Sequence, residues 1–450
     1  MADLPFLGRQ HLPFAPAKTD TSSVTILIGR NGSGKSTILR DLTVTMRDFF
    51  SGRRRARHSG SRVVRLDIES DGHLDVLEQS GLDGRPFNER SLIKGRGGGP
   101  SKIIALSFTP FDKFPIGENI ARRGRPDEAV ARYVYLGFKG MRASPRALLR
   151  QSIDQLAFAA SSPVSDHRVV DVLAAIGYRP VLTIDYQMNR LDNVLSSEHI
   201  DRQRIEALMA NIEPLLKPVP GKIGRSLSYR FDFDQGTASN FASNRIDYDT
   251  LRQLVRANVL HMTSATLERP DGDEVQLLDL SSGELSLLCG FLGLAAHLEE
   301  GCVVLVDEPE NSLHPEWQLS YVEMLDAVLQ SRSGCHYVIA THSPLIVSGF
   351  ASRGCAILRL DQQPVRIGDD AVANASPDAT LMSAFNVLTP ENNFLKQLVL
   401  EALTLIEQGR HGEARAQRIA GFLAGFHDDI PDDEPLRDLV RNICLATLEK

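Results

Sequence analysis

The sequence predicts an α/β fold built on a parallel sheet, and three segments predict it. Ser23 to Leu27 (SVTIL) is a short β-rich apolar run that leads into a glycine-rich loop and then a helix-spaced segment. Gly301 to Val306 is a continuous apolar run, the pattern of a strand buried on both faces, and it ends in Asp307-Glu308-Pro309-Glu310. Cys335 to Ala340 is a third β-rich run, ending in Thr341-His342-Ser343-Pro344. Strands that alternate with helical segments form parallel sheets, and ligands gather beyond the carboxyl ends of such strands.

The first run continues as Gly29-Arg30-Asn31-Gly32-Ser33-Gly34-Lys35-Ser36-Thr37, then Ile38-Leu39-Arg40-Asp41-Leu42 at helical spacing. This is GxxxxGK[ST] in the strand, loop and helix context it requires. Glycines at 29, 32 and 34 permit backbone conformations that turn successive N–H groups toward phosphates. A helix starting near Lys35 points its positive dipole end at the same anion. Lys35 is placed to reach the β- and γ-phosphates, and Ser36 to offer its hydroxyl to Mg²⁺.

The acidic run after the second strand should stand beside that loop. Asp307 fits the role of Mg²⁺ partner, and Glu308 that of a general base polarising the attacking water. A carboxylate pair after a strand also arises simply as a helix N-terminal charge, but here a phosphate loop lies upstream for it to serve.

Two further segments narrow the class. Leu280-Ser281-Ser282-Gly283-Glu284-Leu285-Ser286 opens a helix just before the acidic strand. Ser281 with Glu284 also fits a plain serine N-cap with a carboxylate near the third helical position, and both readings stand on the residues alone. Asn311-Ser312-Leu313-His314-Pro315-Glu316-Trp317-Gln318 follows the acidic run, and His342 ends the third strand.

The order of phosphate loop, helix-opening SSGE, acidic strand and strand-end histidine resembles the ABC-type ATPases, in particular the SMC/OLD-like branch. LSSGE is similar to the signature written LSGGQ in that family. DEPENSLHPEWQ, ATHSPLIVS and ALSFTPFDKFP (Ala105 to Pro115) resemble ATPase subunits of bacterial anti-phage systems, Septu and retron-associated ATPases among them. The resemblance implies an ATPase head using ATP and Mg²⁺, in which two copies meet head to tail. Lys35 and Glu308 of one copy would face Ser281, Ser282 and Gly283 of the other across ATP. His342 would hydrogen-bond the γ-phosphate, and Asn311 and Ser312 would cross to the opposing subunit. The family generally carries a Gln after an early strand. The corresponding segment, Leu106 to Asp112, has none, so Ser107 or Asp112 takes its place or the role is absent.

The expected architecture is an ABC-type P-loop ATPase head with a mainly helical insert and a helical C-terminal tail. Residues 1–119 and 258–365 are read as the two ATPase lobes, 120–257 as the insert, and 366–450 as a helical region that binds a partner. Within the insert, Ser144–Ala160 and Ser197–Leu216 have helical spacing, while Val181–Tyr186 and Leu227–Phe233 are strand-like. No heptad pattern persists long enough for a coiled coil. The tail lacks the length and strand alternation of a Toprim nuclease and shows no HNH constellation, so no nuclease is expected in this chain.

Composition bounds the rest. The 450 residues carry a formal net charge of −7, with 42% hydrophobic and 24% charged residues, the balance of a globular protein. Basic runs at Arg53, Arg54, Arg55 and Arg57, and at Arg122, Arg123 and Arg125, are candidate contacts for a nucleic-acid backbone or solvated loop tips. The five cysteines form no CxxC pair, which disfavours a disulfide framework or a zinc ribbon. No signal-peptide pattern and no membrane-length apolar stretch is present, which implies a cytoplasmic protein. Three functions share the nucleotide motifs: a defence ATPase governing a separately encoded effector, expected to be a nuclease; a DNA-clamping repair ATPase; and, less well matched, a transporter's nucleotide subunit. The expected assembly is a homodimer or a higher even-numbered one.

Overall fold

The computed structural model describes residues 2–4, 10–15, 22–50, 63, 65–70, 73–79, 90–92, 99–109, 111–116, 132–137, 139, 145–160, 169–170, 173–174, 176–189, 202–219, 224–234, 247–311, 313–330, 333–351, 355–360, 365–367, 376–389, 392–431 and 434–448. In chain order, strands β1 (Ala2–Leu4), β2 (Gln10–Leu12) and β3 (Ser23–Ile28) precede helix α1 (Lys35–Phe50), which is followed by β4 (Arg65–Ser70), β5 (His73–Gln79), β6 (Arg90–Leu92), β7 (Ile103–Ser107) and β8 (Tyr133–Leu136). Then come α2 (Pro145–Ala160), β9 (Val181–Met188), α3 (Arg202–Ile212), β10 (Lys217–Pro218), β11 (Arg225–Asp232), α4 (Tyr248–Arg256), β12 (Leu260–Glu268) and β13 (Glu274–Gln276). The second half holds α5 (Ser282–His297), β14 (Val303–Asp307), α6 (Pro315–Gln330), β15 (His336–Ala340), α7 (Pro344–Ala351), β16 (Ala356–Arg359) and β17 (Val365–Ile367). Four helices close the chain: α8 (Pro377–Ser383), α9 (Asn393–Glu407), α10 (Ala414–Ala424) and α11 (Pro435–Leu448).

The three strands expected from the sequence lie side by side in a seven-stranded sheet of order β17-β16-β3-β15-β14-β7-β8. All its neighbours pair parallel except β17, which is antiparallel to β16. Alternation along each strand divides the apolar side chains between the two faces. Ile26 and Ile28, Ile104 and Leu106, Val304 and Val306, and Tyr337 and Ile339 enter one core, with α2, α5, α6 and α7. Leu27, Ile103, Ala105, Leu305, Val338 and Ala340 enter the other, against Ile38, Leu39, Leu42 and Met46 of α1. Burial on both sides explains why these strands read as unbroken apolar runs.

Two antiparallel sheets flank the central one, ordered β2-β1-β4-β5-β6 and β10-β11-β9-β12-β13. The second sheet joins strands from both sides of the expected boundary at 257/258. Strand β12, assigned from sequence to the ATPase lobe 258–365, pairs with β9 of the 120–257 segment, Leu260 opposite Met188 and Leu267 opposite Leu182. Conversely β8, from within 120–257, is an edge strand of the central sheet beside β7. Of the helices in the 120–257 segment, α4 packs on β12 of this shared sheet, while α2 packs on α5 of the ATPase lobe.

Helix α5 seats closely on β7. A Cβ on Gly290 would stand 3.1 Å from the Phe108 ring and 3.2 Å from Leu106 Cδ1, so glycine permits the approach. Helices α8 to α11 gather their own apolar cluster, with Leu395, Leu398, Val399, Ile419, Leu423 and Val440 among its buried members. Among the described residues no helix is long and apolar enough to cross a membrane.

Candidate functional site

Strand register assembles the site. Asp307 at the end of β14 stands level with Ser107 of β7 and Ala340 of β15, and Ala340 stands level with Leu27 of β3. Because the strands run parallel, the loop after β3, the acidic run after β14 and the histidine after β15 all leave the sheet on one side.

The loop 29–34 is held by Ser33 N–H donating to Arg30 O at 3.1 Å and Ile38 N–H to Gly34 O at 2.8 Å. Gly32 and Gly34 have φ of 82° and 96°. A Cβ on Gly32 would meet no atom within 4 Å, so backbone conformation rather than space requires glycine there. Lys35, only 4% exposed, donates from Nζ to Gly29 O at 2.8 Å and to Arg30 O at 3.4 Å, and lies 3.4 Å from His342 Nδ1. An ammonium only donates, so Nδ1 is the acceptor and the ring proton of neutral His342 resides on Nε2. That Nε2 lies 3.9 Å from Glu308 Oε1. Burial, then the Lys35 charge, lower the His342 pKa, and Glu308 opposes them.

Asp307 is 2% exposed, and its Oδ1 is buried without a hydrogen-bond partner. Burial raises its pKa to about 7; a hydrogen bond from Ser36 opposes this, while the charges of Glu308, Asp112 and Glu310 reinforce it. Glu308 has φ of 48°, the left-handed region, while its N–H donates to Ala340 O at 2.9 Å. A non-glycine residue there stores on the order of 1 kcal/mol or more, and such strain collects at functional sites.

The site thus brings together Lys35, Ser36, Asp307, Glu308 and His342, with Gly29, Arg30, Asn31, Gly32, Ser33, Gly34 and Thr37 in the loop and first turn beside them. The family described as "AAA domain, putative AbiEii toxin, Type IV TA system" matches residues 157–348, a span holding the acidic run and His342 but not the phosphate loop. Over 462 aligned residues the chain is 21% identical to the Retron Vc95 probable ATPase of Vibrio cholerae serotype O1 biovar El Tor, covering 92% of this chain and 80% of that protein. It is 23% identical to protein ea59 of Escherichia phage lambda over 346 residues, covering 75% of this chain and 49% of that protein, so it spans about half the length of that relative. The SMC head domain from Thermotoga maritima aligns at 9% identity and a TM-score of 0.33, covering 77% of this chain and 90% of that one.

The chain is a P-loop ATPase. Elsewhere in the ATPase, Ser281 caps α5 through a capping box: its side chain accepts the Glu284 N–H at 3.3 Å, and Glu284 Oε2 accepts the Ser281 N–H at 2.9 Å. The plain capping geometry weighed from the sequence is therefore present. It coexists with exposure of Ser281 and Ser282, while Gly283 is buried. Among the described contacts none joins this segment to the phosphate loop.

Of the two residues offered for the family's Gln, Asp112 is engaged elsewhere. Its Oδ1 accepts Phe114 N–H at 2.9 Å and its Oδ2 accepts the Tyr135 hydroxyl at 2.5 Å. Ser107 hydrogen-bonds within its own turn, to Thr109 O at 3.3 Å.

Three side chains around the site escaped the sequence reading. Lys113 Nζ donates to Thr37 Oγ1 at 2.8 Å. Glu310 accepts the Thr341 hydroxyl on Oε2 at 2.9 Å and the His342 N–H on Oε1. Gln318 Oε1 accepts the Ser343 hydroxyl at 2.6 Å. The acidic run names Glu310, but nothing local shows which of its three carboxylates turns toward the next strand. Ser312 and the basic residues Arg53, Arg54, Arg55, Arg57, Arg122, Arg123 and Arg125 lie outside the described residues.

Proposed function

We propose that the chain is the ATPase subunit of a bacterial anti-phage defence system, in which ATP-dependent pairing of two copies and hydrolysis control a separately encoded effector, a nuclease. The observation that carries the catalytic part is the level register of β3, β15 and β14, which sets Lys35 and His342 beside Glu308 and Asp307. The N–H groups of residues 29–34 and the Lys35 ammonium hold the phosphates.

The oxygen donors of Ser36 and Asp307 suit Mg²⁺, a hard cation, and the buried Asp307 Oδ1 without a partner is the atom such an ion would satisfy. When bound, the ion supplies positive charge to the β- and γ-phosphate oxygens. Glu308 takes the proton of the attacking water as its oxygen bonds to γ-phosphorus and the bridge to the β-phosphate breaks. The neutral His342 donates Nε2–H to the γ-phosphate. Ser281, Ser282 and Gly283 serve the site of the opposing copy, as the resemblance of LSSGE to the ABC signature implies; the exposure of Ser281 and Ser282 supports this. ATP affinity and pairing are then linked.

Similarity to a retron-associated probable ATPase across most of this chain and to a family described as a putative abortive-infection toxin supports the defence setting. The Septu ATPase is the comparable system that the DEPENSLHPEWQ wording suggests. The helical region α8 to α11, with its own apolar cluster, is the proposed effector-binding region.

The test purifies the tagged chain from its own host with ATP present and identifies its companions by mass spectrometry. A stoichiometric nuclease supports the reading, and deleting residues 391–450 should release it. A chain that emerges alone or with repair factors, and whose hydrolysis DNA ends stimulate in a salt-sensitive way, is a DNA-clamping ATPase instead.

A further inference from the structure

We propose that Glu310 is a positioning residue for hydrolysis: its carboxylate fixes the backbone at Thr341 and His342 so that the His342 ring stands between Lys35 and Glu308. The proposal rests on the reading that ATP is hydrolysed at this site.

Both Glu310 oxygens face the segment after β15. Oε1 takes the His342 N–H and Oε2 takes the Thr341 hydroxyl. The Thr341 hydroxyl oxygen in turn accepts the Ser343 N–H at 2.9 Å, and the Ser343 hydroxyl donates to Gln318 Oε1. Gln318 Nε2 donates to Leu313 O at 3.1 Å, which closes the chain of bonds onto the segment after the acidic run. Thr341 is fully buried, so its backbone has little freedom once these bonds form. Turning the 341–342 backbone would swing the ring away from Lys35 Nζ on one side and Glu308 Oε1 on the other.

The charge is not what this role needs. Glu310 is a third carboxylate beside Asp307 and Glu308, and its charge acts to raise the Asp307 pKa. Near the phosphates another negative charge is unfavourable. What the role needs is reach and an acceptor for the His342 N–H. A glutamine retains both, because its carbonyl accepts that N–H and its amide donates to the Thr341 oxygen. An aspartate retains the charge but is one methylene too short to meet both partners.

The experiment is steady-state ATP hydrolysis by the full chain carrying Glu310→Gln or Glu310→Asp, with kcat and KM measured separately and folding checked by thermal denaturation. The expected result is E310Q within about threefold of the unmodified chain, and E310D at least about tenfold lower in kcat with KM within about twofold, since an interaction made only in the transition state leaves KM unchanged. If E310D does not fold, Thr341→Val removes the hydroxyl partner and should show the same loss in kcat alone. E310D active and E310Q inactive would mean that the charge acts in the chemistry, and would overturn the proposal. Equal losses, losses confined to KM, or E310D and T341V as active as the unmodified chain would overturn it as well. An unmodified chain that hydrolyses no ATP would refute the underlying reading instead.

Discussion

Lys35 Nζ and His342 Nδ1 stand 3.4 Å apart across 307 positions of sequence, and this contact adds to burial in disfavouring the charged ring. Burial and the adjacent ammonium both disfavour the imidazolium, so the ring is neutral where it faces Glu308. Lys35→Ala removes one of the two depressing causes and leaves Glu308 as the neighbouring charge. The ring of His342 should then titrate at higher pH than in the unmodified chain, as followed by NMR of the imidazole protons. An unchanged titration would mean that the two groups do not meet in solution. The same variant should lose hydrolysis by about a hundredfold or more, the usual scale for removing a preorganised donor.

Asp307 is kept at a cost to the fold. Its carboxylate is buried, lacks a partner on Oδ1 and stands near three other carboxylates. Asp307→Asn removes the buried charge and should therefore raise stability at pH 8 without Mg²⁺ or nucleotide, by about 1–3 kcal/mol, while abolishing hydrolysis. Denaturant melts with chelator present measure this. A variant less stable than the parent would show that the carboxylate is satisfied in the absence of ligand.

Ser281 separates a capping role from an intermolecular one. Ser281→Ala loses the cap and should cost about 0.5–2 kcal/mol. Aspartate is as good a cap as serine, so Ser281→Asp should melt within a few tenths of a kcal/mol of the parent. On the pairing mechanism it should nonetheless fail to associate in ATP, because it sets a negative charge opposite the partner copy's phosphates. Light scattering that shows normal ATP-dependent pairing of S281D would remove Ser281 from the proposed interface.

His336, with Nε2 2.9 Å from Thr25 Oγ1 and its ring edge-on to Phe14, has its pKa lowered to about 4 by burial. Between its unfolded value of 6.5 and about 4, the unfolded chain binds a proton that the folded chain refuses. Stability should be unaffected by this group above pH 6.5 and should fall as pH drops through that window, by on the order of 3 kcal/mol. His336→Gln lacks the titration, so the stability difference between parent and variant should change with pH only there. A difference that stays constant from pH 7 to pH 4.5 would refute the neutral ring.

Much of the site was legible because its requirements are local. A phosphate loop needs glycines where φ is positive, and Gly32 and Gly34 have that conformation. A strand covered on both faces needs an unbroken apolar run, and Val303 to Val306 is one. Helical spacing anticipated α2 and α3, and the strand-like runs near residues 181 and 227 became β9 and β11. The sharing of β12 with the 120–257 segment was not legible, because antiparallel pairing depends on which distant strand offers a matching face. For the same reason β8, an edge strand of four residues, gave no sign of the sheet it would join.

The sequence by itself determined the parallel α/β class, the phosphate loop, the acidic strand end and the strand-end histidine, since each is written in short-range pattern and backbone preference. Only the tertiary structure decided that Asp307, Ser107 and Ala340 stand level, that Lys35 donates toward His342, and that Glu310 turns to Thr341 and His342 and not to the loop. Those relationships depend on strand register and on where buried carboxylates find donors. Both are settled between segments hundreds of residues apart, when the chain packs.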